Sequence, residues 1–137
     1  MNYFETFIQV APDCPVMTAV VPTAKGEKKS VAVLEFELLS GKPYFYTQEE
    51  LQFEVHVRHK NISASELKSR RKELWAEFFS KPHACLRASP LAKRYGWGIY
   101  FNAQGKTGIY PVESMEYAQY STNKGIKQLL AMRRQRA

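Results

Sequence analysis

The 137-residue chain lacks several things that would place it at once. It has no apolar run near the ~18 residues of a membrane helix. It has only two cysteines, Cys14 and Cys85, which form neither a metal-ligand spacing nor a disulfide framework. Its N-terminus has no basic region followed by an apolar one, so no secretory signal is read and the expected address is the cytoplasm. Seven glycines and seven prolines exclude a low-complexity or collagen-like chain. No repeat of 20–50 residues is present. The phosphate-binding loop, the nucleophile elbow and the zinc-protease histidine pair are all missing.

What is present is enough for one globular domain over residues 1–137: 45% hydrophobic, 13% aromatic and 24% charged residues. The formal charge of +7 is unevenly laid out. Residues 1–57 carry four basic and eight acidic side chains, net −4; residues 58–137 carry sixteen and five, net +11. Such asymmetry suits a negatively charged ligand or partner.

Residues 3–10 read as a strand closed by Pro12, and 16–21 as a second short strand. Ser30 is a candidate N-cap for a helix ended by Gly41 and Pro43. Thr47 and Glu50 make a capping box, with Tyr46 and Leu51 as its staple, although Leu51, Phe53, Val55 and Val57 alternate like a strand; helix is the favoured reading. Ser63 and Glu66 make a second box, with Ile62 and Leu67 as staple, opening a helix that Pro82 stops. Residues 84–87 suit a short strand. Residues 95–102 and 106–112 suit a hairpin around Gly105. Residues 113–120 suit a short helix, and 126–132 an amphipathic helix whose end Arg133, Arg134 and Arg136 would complement. No βαβ alternation appears, so the expected fold is α+β: a small, mainly antiparallel sheet packed with several helices.

The segment 83–98 is densest in reactive side chains. Arg87, Lys93 and Arg94 are candidates for an anion clamp, with Ser89 beside them and Tyr95 and Trp97 to stack on a ring. Glycines on both sides of Trp97 allow close backbone approach. The bland alternatives are a solvated loop, Arg87 paired with Glu113, and aromatics packed across a hairpin. Cys85 is the candidate nucleophile and His83, two residues away, its candidate base; a buried, inert thiol is the alternative. Cys14 and Cys85 could also meet as a redox pair. His56 and His59 stand at the helical i,i+3 spacing, but no carboxylate or cysteine completes a metal set, so no metal or cofactor is expected.

The leading expectation is a small anionic ligand or an acidic partner surface at 83–98. A thiol-dependent enzyme or redox protein is the second reading. Nucleic-acid binding through the basic half, Arg70-Arg71-Lys72 included, is the third, without any recognition motif to favour it.

Thr6-Phe-Ile-Gln-Val-Ala-Pro-Asp-Cys-Pro15, Pro43-Tyr44 with Tyr46-Thr47, Cys85-Leu-Arg-Ala-Ser-Pro-Leu91, Lys93-Arg-Tyr-Gly-Trp-Gly98 and Tyr110-Pro-Val-Glu-Ser114 together resemble an uncharacterised bacterial family, domain of unknown function 6157. The resemblance covers nearly the whole chain. It implies a small, stand-alone soluble protein, and it carries no activity, cofactor or site residue.

Overall fold

The computed structural model describes residues 1–134. In chain order these form β1 (Thr6–Gln9), α1 (Val31–Gly41), α2 (Gln48–His59), α3 (Ala64–Phe79), a 3-10 turn at Leu86–Ala88, α4 (Pro90–Lys93), β2 (Trp97–Phe101), β3 (Thr107–Pro111), α5 (Met115–Thr122) and β4 (Lys127–Leu130). The class is α+β. The sheet order is β3-β2-β1-β4, with β3 and β1 antiparallel to β2 and β4 parallel to β1, so the sheet is mixed.

Strand alternation gives the sheet two different faces. Ile8, Ile99 and Phe101 turn to one side and pack with Leu34, Leu38, Leu51, Val55 and Leu91 from α1, α2 and α4. On the other side Phe7 meets Tyr117 of α5 with ring centroids 5.0 Å apart. That second face is a tyrosine layer. Gly98 and Gly108 lie under it because side chains would not fit: a Cβ on Gly98 would come 2.6 Å from the Tyr117 ring, and one on Gly108 2.7 Å from the Tyr44 ring.

Helix α2 resolves the conflict between its cap and its period. Its capping box closes both ways, Thr47 Oγ1 accepting from Glu50 N–H at 3.3 Å and Glu50 Oε1 from Thr47 N–H at 2.9 Å. A two-residue step along a helix turns about 200°, so alternating apolar residues fall on opposite sides. Leu51 and Val55 enter the main core, while Phe53 and Val57 join Leu74 in a second cluster with Trp75, Phe78 and Phe79 of α3. Alternation here means a helix buried on both sides. At α3, Ser63 caps Glu66 N–H at 3.1 Å, but the Glu66 carboxylate takes Arg70 at 3.0 Å instead of closing the box.

Three local expectations differ from the structure. No helix forms over 126–132; Lys127–Leu130 is β4 and satisfies the open edge of β1 in parallel register from Thr6↔Lys127 to Gln9↔Leu130. Seven residues make a marginal helix, whereas the pairing completes a sheet. Arg136 lies outside the described residues. Residues 16–21 form no strand; they are held by isolated bonds, Val20 N–H to the Tyr95 carbonyl at 2.8 Å and the Trp97 indole N–H to the Val20 carbonyl at 2.9 Å. Residues 84–87 also form no strand, because two α2 glutamines occupy their backbone groups.

Candidate functional site

Gln48 and Gln52 stand one turn apart on α2 and act as a clasp. Gln48 Oε1 accepts from Leu86 N–H at 2.7 Å, and Gln52 Nε2 donates to the Ala84 carbonyl at 2.8 Å. This pins the chain from His83 to Leu86 against α2. Between that segment, α1, α2 and the end of α3 lies a cleft of 390 Å³. Val31, Val55, Phe78, Leu86 and Pro90 supply apolar wall. The polar lining is unusual: His56, His59 and His83, all three histidines of the chain, with Cys85, Ser89 and Glu35.

Glu35 is 5% exposed. Its Oε1 accepts from Ser89 Oγ at 2.7 Å, and Ser89 also caps α4 through Leu91 N–H at 3.2 Å. Among the described residues no cation pairs with Glu35, and its Oε2 takes no hydrogen bond. Yet among those residues no fully enclosed side-chain oxygen lacks a partner. Oε2 therefore keeps a trace of accessible surface, and Glu35 is one of the residues that line the cleft. Burial pushes the carboxyl up to about 7, against the opposing pull of the Ser89 hydrogen bond.

His83 stacks on Phe78 at 3.9 Å and its Nε2–H donates to the Phe78 carbonyl at 2.6 Å. His56 packs 4.6 Å from the same ring. Burial, with Lys60, His83 and His59 nearby, holds His56 below the usual imidazole range. Cys85 Sγ accepts from the Tyr3 hydroxyl at 3.2 Å. Burial first, and Cys85 second, push that phenol up to about 12. Cys14 and Cys85 are both free thiols. Among the described residues no three of His, Cys, Asp and Glu gather in a way that could hold a metal ion.

His59 is shared with two neighbouring clefts. One, of 720 Å³, is lined by Lys28, Lys29 and Arg58 with a single acid, Glu27; the other, of 400 Å³, by Lys25, Lys28, Lys29 and Tyr95. Lys29 is paired with Glu37 at 2.9 Å, and Arg58 stands 3.8 Å from Glu54. The apolar cleft thus opens onto a basic rim.

The segment 83–98 is therefore divided. His83, Cys85 and Ser89 line the histidine cleft, whereas Arg87, Lys93, Arg94, Tyr95 and Trp97 do not. Arg87 Nε donates to the Leu130 carbonyl at 2.8 Å, covering the end of β4. Glu113, its alternative partner, accepts from Ala19 N–H instead. Lys93 ends α4 and Arg94 is exposed. Trp97 packs on Phe36 at 5.2 Å. In the basic half, Arg70 is held by Glu66, Glu73 and Glu77, and Arg71 stands 3.7 Å from Glu54.

Sequence reasoning missed Glu35, Gln48, Gln52 and the lysine rim. Glu35 did leave a signal, a charge inside the apolar run Val31-Ala-Val-Leu-Glu-Phe36, on the same helical face as Val31 and Leu38. The two glutamines at i,i+4 were also legible as neighbours, though not their targets. Among the described residues no helix is long and apolar enough to cross a membrane.

One family model, described as a family of unknown function, DUF6157, matches residues 1–137. No curated protein and no solved structure matches the chain.

Proposed function

The chain belongs to that family of unknown function, and we propose that it binds a small ligand with an apolar body and an anionic group. The body enters the histidine cleft, and the anion rests on Lys28, Lys29, Arg58 and His59. One observation carries this reading: His59 lines both the apolar cleft and the basic clefts, so a single molecule can use both. A volume of 390 Å³ suits a small metabolite and lies within the range of about 300–1,000 Å³ usual for ligand sites. The reading places the protein in the cytoplasm, where its two thiols stay reduced.

Calorimetric titration with caproate and with hexanol, its uncharged counterpart, tests the proposal. Caproate is expected to bind about tenfold tighter at low salt, and the Lys28→Ala/Arg58→Ala double variant to bring the two together. Equal affinity of the wild-type protein for both compounds contradicts it.

A second reading rests on the Tyr3–Cys85 hydrogen bond at the edge of the same cleft: thiol-dependent chemistry at Cys85. It predicts that iodoacetamide modifies Cys85 before Cys14 and that caproate slows only the former. A Cys85 that never reacts, or reacts with no response to caproate, removes this reading.

A further inference from the structure

Among the residues that line the histidine cleft, Glu35 is the only carboxyl. Buried carboxylates in proteins are paired with a cation, hydrogen-bonded on both oxygens, or protonated. Among the described residues Glu35 has one hydroxyl on Oε1, no cation and no hydrogen bond on Oε2, and it lines the cleft. Ser89, itself 4% exposed, fixes the carboxyl's orientation. The groups facing it are His56 and His59 from α2 and His83 and Cys85 from the pinned segment. None of these supplies a permanent positive charge.

Val31 lines the cleft one helical turn before Glu35, about 6 Å along the axis. Ser30, the N-cap before it, lines the basic cleft with Lys28 and Lys29. The buried acid and the basic rim therefore lie at the two ends of one turn of α1.

Resting on the reading that the rim holds an anion, we propose that Glu35 receives an ammonium or amidinium group, so that the ligand is zwitterionic, with an anion at the rim and a cationic nitrogen on Oε2. The class is amino carboxylates or amino phosphates with a short apolar linker. The ligand nitrogen supplies the countercharge that no described residue gives Glu35, and burial makes that contact selective for a nitrogen carrying charge.

The test compares aminocaproate with caproate, which differ only in the amine. In the wild-type protein at about pH 8, aminocaproate is expected to bind at least about tenfold tighter. Glu35→Gln keeps the Ser89 hydrogen bond and is expected to bring the two probes within about twofold. The second readout is the pH dependence of the affinity ratio, followed in the wild-type protein and in Glu35→Gln: the three histidines line the same cleft as the proposed ammonium, so the part of the rise that belongs to Glu35 is the part the variant loses. The amine stays charged, while Glu35 ionises around 7; the ratio should therefore rise about tenfold between about pH 6 and pH 8. Aminocaproate no tighter than caproate, or a ratio flat with pH, overturns the inference while caproate binding itself still stands. If neither caproate nor aminocaproate binds, the anion reading falls, and this inference with it.

Discussion

Two polar aromatic clusters occupy opposite sides of the sheet, and they differ in one respect. On the tyrosine face the polar groups satisfy one another. The Tyr44 and Tyr110 hydroxyls are hydrogen-bonded together, Tyr100 donates to Glu5 at 3.1 Å, and Tyr117 accepts from Val10 N–H at 2.9 Å. Tyr100 and Tyr120 stack at 4.4 Å, and burial and then Glu5 push the Tyr100 phenol up to about 12. In the histidine cleft His83, Cys85 and Ser89 have hydrogen-bond partners, but Glu35 Oε2 has none among the described residues. Glu35 has a single bond, and the cleft walls beside it are apolar. A cluster that closes on itself supports the fold; a cluster with an open group is where the proposed ligand is placed. Tyr44, at φ 58, is pinned by its N–H to the Thr107 carbonyl at 2.9 Å and serves the closed face.

The largest expected effect comes from the open side. Glu35 titrates near 7 in the folded protein against an ordinary value of 4.5. An acid raised by folding costs nothing below its unfolded value, and the cost grows as pH rises from there through the folded one. Glu35→Gln should therefore stabilise the protein at pH 8 by about 3 kcal/mol, with the gain vanishing towards pH 4. Urea unfolding at several pH values reads this, and a gain that does not change with pH would mean that the carboxyl is not desolvated in the way described.

On the closed side a smaller effect of opposite sign is expected. In Gly98→Ala the added Cβ would sit 2.5 Å from Phe7 and 2.6 Å from Tyr117. The overpacking should cost about 2 kcal/mol, with caproate affinity unchanged within about twofold. Loss of caproate binding alongside stability would erase the distinction between the two faces.

Much of the fold could be read from local patterns. The capping box at Thr47, the N-cap at Ser63, the stop at Pro82 and the hairpin around Gly105 are local chemistry and stand where expected, although Glu66 leaves the second box open. β4 could not be read, because 127–130 becomes a strand only against the edge of β1, some 120 residues away. The site was half legible for the same reason. His83, Cys85 and Ser89 lie in the segment rich in reactive side chains and do line the cleft, but their partners come from α1 and α2. His56 and His59 were visible as a helical pair without their third histidine. The arginines of 83–98 looked as interesting as the thiol, yet Arg87 spends its guanidinium on the Leu130 carbonyl. Proximity in sequence could not tell which half of the segment turns inward; the α2 glutamine clasp does.

The most direct measurement is the caproate titration followed residue by residue in NMR. The account predicts that the ring signals of His56, His59 and His83 move together along one binding curve, while those of Tyr100, Tyr110 and Tyr120 stay still. Shifts confined to the tyrosines or to Trp97, or three histidines that respond independently, would contradict it.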